Sequence, residues 1–159
     1  MLNPGRWGMA IAIIFGLVMF LPTAQAEEQF EVTFCYSGTF TPFHDSKDLT
    51  VVRGFQLNGI TRSHSVNKFL DNATYHMEGV HRGPQLLSYV RLIDPEGDIL
   101  IVERAGTGKE AVGKFLEGTG KYKGIKGGFR IEIIARGKPA MPGTVQECHK
   151  AVGTFELPK

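Results

Sequence analysis

Phe30-Glu-Val-Thr-Phe-Cys-Tyr36 is the stretch on which the fold turns. Successive side chains of a strand point to opposite faces. The alternation therefore sets Phe30, Val32, Phe34 and Tyr36 on one face and Glu31, Thr33 and Cys35 on the other. The same period of two returns down the chain. Leu49–Leu57 places Leu49, Val51, Arg53, Phe55 and Leu57 together, and Ala73–His81 sets Tyr75, Met77 and His81 against Thr74, His76, Glu78 and Val80.

Leu86–Ile93 and Ile99–Arg104 flank Asp94-Pro-Glu-Gly-Asp98, whose proline and glycine suit a tight turn, so these runs read as a hairpin. Gly113–Glu117, Gly128–Ala135 and Val145–Leu157 complete about eight strands. Dispersed glycines and the absence of a long 3.6-residue period favour strands over helices. One short helix fits at Ser63–Leu70, where Ser65 could cap and Val66, Phe69 and Leu70 cluster. The expected fold is all-β: a closed antiparallel eight-stranded barrel, which removes exposed edges, with a β-sandwich as the alternative.

Cys35 and Cys148 are the two cysteines of the chain. In an oxidising compartment such a pair is expected to form a disulfide, which would lay the first and last strands side by side. Two buried free thiols or a redox pair are the alternatives, the latter lacking a C-x-x-C spacing.

The compartment is read from the N-terminus. Arg6 precedes the apolar run Met9–Leu21, then Pro22, and Ala24-Gln25-Ala26 supplies a small-x-small cleavage pattern. The run falls short of the roughly 18 to 20 residues a spanning helix needs, and acidic Glu27 and Glu28 follow it. Residues 1–26 are therefore expected to be a cleaved secretory signal and 27–159 a single barrel domain, periplasmic or secreted, with no membrane association after cleavage. Loss of Arg6 takes the formal charge from +2 to +1. That balance, without a Lys/Arg run, is no footprint for nucleic acid.

Several chemical motifs fail on inspection. Gly108-x4-Gly113-Lys114 has phosphate-loop spacing, but Phe115 stands where Ser or Thr must hold magnesium. Gly118-x-Gly120 lacks the third dinucleotide-loop glycine, and Asp94–Asp98 lacks the downstream glutamate of a calcium loop. No serine sits in a nucleophile elbow. No metal site or cofactor is expected. His76 and Glu78, two apart on one strand face, are the candidate acid–base pair. Tyr75, Arg91 and Glu103 are candidate ligand-binding residues. Arg91 and Glu103 lie near the hairpin's middle, where an inward pair would anchor a ligand and an outward one would be a surface ion pair.

Gly118-Thr-Gly-Lys-Tyr-Lys-Gly-Ile-Lys-Gly-Gly128 resembles the G-T-G-x-[YF]-x-G-x-x-G segment of allene oxide cyclase-like and dirigent-like barrels. Asp94–Asp98 resembles the D-x-x-G-D turn of their bacterial exported relatives. Cys148 with Gly153-Thr-Phe-Glu-Leu157 resembles their closing strand. The resemblance implies an eight-stranded antiparallel barrel around a mostly apolar cavity. The activities of the plant members, cyclising an unsaturated epoxide or steering phenoxy-radical coupling, do not map residue by residue onto this chain.

The leading expectation is non-catalytic binding of a small apolar or amphipathic molecule in the barrel. The runner-up is a cyclase- or isomerase-like enzyme on an unsaturated lipid-like or phenolic substrate, with His76, Glu78, Arg91 and Glu103 as candidates. A packed scaffold or partner-binding barrel is the third. Oligomerisation stays open.

Overall fold

Inward residues of the first strand define the interior: Phe30, Val32, Phe34 and Tyr36 are all buried, while Cys35 between them is exposed. The computed structural model describes residues 26–44, 50–107 and 110–158. The signal-peptide expectation thus falls, except for Ala26, outside the described residues. Eight strands run in chain order: β1 (Glu28–His44), β2 (Val52–Ser63), β3 (Thr74–Arg82), β4 (Gln85–Ile93), β5 (Ile99–Thr107), β6 (Ala111–Gly118), β7 (Lys126–Arg136) and β8 (Thr144–Glu156). A 3-10 turn, Gly120–Tyr122, lies between β6 and β7. Each strand pairs antiparallel with the next, and β8 returns to β1, so the sheet closes into the expected barrel. Among the described residues no helix is long and apolar enough to cross a membrane.

One end of the barrel is filled by rings. Phe69 stacks on Phe155 at 4.0 Å between centroids and lies 4.9 Å from Phe30. Phe115, Phe129 and Tyr122 pack around them. Phe69 comes from the segment expected as a short helix, and here the expectation is corrected: residues 64–73 form a series of turns. Lys68, Leu70 and Asn72 take positive φ values of 53°, 55° and 57°, which no α-helix accommodates. Local hydrogen bonds hold this path. Thr61 Oγ1 accepts from the Ala73 N–H at 2.9 Å and donates to the Leu70 carbonyl. Asp71 Oδ1 accepts from the Ser63 N–H at 2.9 Å. Ser65 caps no helix; its hydroxyl oxygen accepts from the Glu31 N–H at 2.6 Å. Phe69 and Leu70 are thereby turned under the barrel as a plug instead of forming a helical stripe.

The hairpin turn lies at the same end. Asp94 Oδ1 accepts from the N–H groups of Glu96 and Asp98, both at 2.9 Å, and Gly97 supplies a φ of 92°. Lys121 Nζ reaches Asp94 at 2.7 Å and Glu96 at 2.9 Å, latching the glycine-rich segment onto the turn. Burial alone would raise the Asp94 pKa, but the hydrogen bonds from Lys121 and the backbone hold it below its ordinary value. Gly120 sits where a Cβ would overlap the Asp98 carboxylate, and its φ of 47° favours glycine as well. Of the acidic trio Asp94, Glu96 and Asp98, the lysine ammonium pairs with the first two, and Asp98 accepts from the Lys121 backbone N–H at 3.1 Å.

Cys35 and Cys148 stand directly opposite in the β1–β8 register and are joined as a disulfide on the outer face. The bond closes a loop across 113 residues of sequence. Chain entropy places its contribution at up to about 4–5 kcal/mol. Replacing both cysteines by serine (C35S/C148S) is expected to lower stability by an amount approaching that figure, with the barrel still folded at low temperature. Denaturant unfolding of oxidised and variant protein measures it. A loss below about 1 kcal/mol would show that strand pairing alone secures the seam.

Candidate functional site

The end of the barrel opposite the aromatic plug holds a cavity of about 140 Å³. Its wall is mainly apolar, with Phe40, Phe55, Leu57 and Met77 among the lining side chains, and Tyr36, His81, Arg104, Arg136, Glu147 and His149 bring polar atoms to it. Strand parity delivers most of them. Tyr36 follows Phe34 on the inward face of β1, and Arg104 follows Leu100 and Val102 on that of β5. On β8 the outward Cys148 leaves Glu147 and His149 facing in. Arg136 needs a further device. Ile131 and Ile133 point inward, and a register shift between Ile133 and Ala135 inserts one extra residue. That bulge resets the phase, so Arg136 lies opposite Glu147 and on the cavity wall.

Glu147 is the hub of a hydrogen-bonded group. Its Oε2 lies 2.8 Å from His149 Nε2 and accepts from the Tyr36 hydroxyl at 3.0 Å, while its Oε1 accepts from Arg136 Nε at 2.6 Å. Tyr36 Oη is also 2.9 Å from His149 Nε2, closing a triangle. The hydrogen bond with His149, helped by Arg136 and Tyr36 and opposed by burial, brings the Glu147 pKa down to about 2. Burial, and then the negative charge of Glu147, raise the Tyr36 phenol above its ordinary range, so it stays neutral. His81 is lowered by burial first and by the nearby Arg53 and Arg104 charges.

A second group sits deeper. Arg104 is 2% exposed. Its Nη1 donates to the Tyr75 hydroxyl at 2.8 Å and toward Met77 Sδ at 2.9 Å, and the guanidinium lies 5.4 Å from the centre of the Phe34 ring. Its Nε has no hydrogen-bond partner among the described residues, and neither does the buried Nδ1 of His149. Phe34, Tyr36 and Tyr75 form a set of nearly parallel rings, with Tyr75 lying 5.2 Å from Phe34 and 5.9 Å from Tyr36. Below Arg104 lies a smaller void of about 30 Å³ among Val32, Phe34, Leu92 and Val102.

The sequence candidates divide between the two faces of the barrel. Tyr75 is inside, stacked and bonded to Arg104. His76 and Glu78 are outside, 3.2 Å apart with side chains 40% and 58% exposed, and Asn58 and Gln56 are their other partners. Arg91 and Glu103 also lie on the outer face as diagonal neighbours, since Arg91 pairs with Ile101 and Glu103 with Tyr89. Glu103 accepts from the Tyr89 hydroxyl at 3.2 Å, and no Arg91–Glu103 ion pair forms among the described residues. Sequence reasoning left out Arg104, Arg136, Glu147 and His149. The parity of Cys148 was the signal for two of them: an outward disulfide obliges its neighbours to face in.

The depressed carboxylate gives a signed expectation. A folded pKa of about 2 lies below the ordinary 4.5, so the stabilisation from Glu147 is full above about pH 4.5 and is lost as pH falls toward 2. Glu147→Gln is expected to cost about 2 kcal/mol at pH 7, the scale of a charged hydrogen bond, and to flatten the loss of stability between pH 4.5 and 2. Urea unfolding at pH 7, 4 and 2.5 measures both. An unchanged acid limb in the variant would show that the hub is not Glu147.

No family model matches the sequence, and no curated protein matches it. Among solved structures the chain is similar to two pterocarpan synthase dirigent proteins. One is 10% identical, over 84% of this chain and 93% of that one, with a TM-score of 0.49. The other is 8% identical, over 88% of this chain and 99% of that one, also at 0.49.

Proposed function

We propose that the barrel binds a small amphipathic molecule in its open end, without transforming it, as an exported protein of the periplasm or extracellular space. The observation that carries this reading is the cavity itself: about 140 Å³, walled by Phe40, Phe55, Leu57 and Met77, with a few converging polar groups. An apolar cavity of about 150 Å³ accommodates a benzene molecule, so the space suits one ring or a chain of similar bulk. A solid scaffold would fill this end as the aromatic plug fills the other.

Further observations support the setting. The disulfide fits an oxidising compartment, in line with the signal-like pattern of residues 1–26. Charged side chains such as Arg62, Glu78, Arg91 and Lys114 occupy exposed outward positions among apolar ones such as Ile60 and Val112, while aromatic rings fill the interior. The resemblance of residues 118–128 to allene oxide cyclase-like and dirigent-like barrels points to the same architecture around an apolar cavity.

One observation favours turnover as a second reading. Glu147, His149 and Tyr36 touch one another at the cavity, an arrangement suited to moving a proton in a cyclase- or isomerase-like step. It is the runner-up because the phenol is raised and the carboxylate lowered away from neutral pH, which makes them a weak acid and a weak base.

Titration with benzyl alcohol, followed by backbone amide NMR shifts, tests the binding reading. Saturable one-to-one shifts confined to residues around the cavity are expected, and Ala111→Phe, which fills part of the wall, is expected to weaken them at least ten-fold. Shifts that do not saturate, or that ignore the filled cavity, would overturn the reading.

A further inference from the structure

We propose that the molecule bound in this cavity is an anion: a short aromatic or unsaturated carboxylate whose acid group is received by Arg104. The inference rests on the binding reading above and adds the chemical class.

A guanidinium keeps its charge at any physiological pH, and a charge withdrawn from water is costly unless it is paired. Arg104 is almost wholly withdrawn, yet its partners are neutral: the Tyr75 hydroxyl, the Met77 thioether and the face of Phe34. These soften the cost through hydrogen bonding and cation–π attraction without supplying a countercharge. Among the described residues Nη1 has hydrogen-bond partners, and Nε, a donor on one edge of the planar fork, has none.

The cavity does contain a carboxylate, but it is engaged elsewhere. Glu147 is the one acidic residue among the described lining residues, and Arg136, His149 and Tyr36 hold its two oxygens. Two cationic side chains and one anionic one thus share the wall, and the uncompensated cation is the deeper. A planar carboxylate suits a guanidinium edge because it can accept two parallel N–H bonds. Apolar walls above it, with Phe40 and Phe55 edge to face at 5.7 Å, suit a ring or unsaturated chain. Arg104 also borders the smaller apolar void, so it marks the floor of the accessible space.

A purely structural arginine makes a different prediction: its replacement would leave the relative affinity for charged and neutral ligands of one shape unchanged. The test compares benzoate with benzamide, close in shape and differing in charge at pH 7, in wild type and Arg104→Met. Benzoate is expected to bind about ten- to a hundred-fold more tightly to wild type, the range of a charge-assisted hydrogen bond. In the variant that preference is expected to fall to near unity while benzamide affinity is retained. The Arg104 Nε–H resonance of wild type supplies a measurement that needs no variant: benzoate is expected to shift it further than benzamide does, as a charged acceptor bonds more strongly than a neutral carbonyl. Equal affinities in wild type, a preference that survives in Arg104→Met, or an unmoved Nε–H resonance under bound benzoate would overturn the anion assignment and leave the binding reading standing. Binding of neither probe would overturn both.

Discussion

The pairing of β1 with β8 is the constraint from which the rest follows. Cys35 lies opposite Cys148, Tyr36 opposite Glu147 and Phe34 opposite His149. Because strand side chains alternate, the outward disulfide and the inward polar group are two faces of one register. A slip of one residue would separate the sulfurs and turn Glu147 and His149 toward solvent at the same stroke. The covalent bond acts on the outer face, and the Tyr36–Glu147–His149 triangle on the inner. Each therefore favours the alignment that the other needs, and closure of the barrel becomes inseparable from assembly of the cavity wall.

Closure leaves an interior that side chains can fill, as is usual for eight strands, and the chain treats its two ends differently. At one end the turn segment 64–73 folds under and inserts Phe69 among five further rings, while Lys121 clamps the neighbouring loop to Asp94. The tight turns this path requires are met by positive-φ backbone and by Thr61 and Asp71 hydrogen bonds, which a helix would have precluded. At the other end no described residue is inserted in a comparable way. There the β7 bulge brings Arg136 to Glu147, drawing the carboxylate toward the rim. Packing at one end and a bulge at the other thus set the depth of the cavity and its charge pattern.

Much of the barrel was legible in the sequence because period-two alternation is strong wherever one face is apolar. Phe30–Tyr36, Tyr75–Met77 and the hairpin around Asp94–Asp98 could be read directly, and the cysteine pair anticipated closure. The site was less legible. His76 and Glu78 drew attention as ionisable residues sharing a face, yet that face is the outer one, and Arg91 and Glu103 lie outside for the same reason of parity. Arg104 continues the apolar series Leu100 and Val102, so its inward position was present in the alternation but hidden by its charge. Arg136 could not be placed by parity, since an extra residue at Ile134 inverts the phase and a bulge leaves no plain local signature. The Ser63–Leu70 segment misled because the spacing of Phe69 and Leu70 also satisfies a helix, and only long-range bonds to Thr61 and Glu31 decide against it.

The inward polar residues bear on stability as well as recognition. An all-apolar interior would avoid the cost of dehydrating Arg104 and of leaving its Nε and the Nδ1 of His149 without partners among the described residues. The barrel carries that cost beside features that offset it: a long-range disulfide, a dense set of aromatic contacts at the far end, and polarisable neighbours around the guanidinium. The guanidinium is already held in place by Tyr75, Met77 and Phe34, so less of the binding energy is spent on ordering that side chain. Arg104 Nε, the orphaned donor that lowers the stability of the fold, is the group an anionic partner would satisfy. The same residue then weakens the folded barrel and sharpens its choice of ligand.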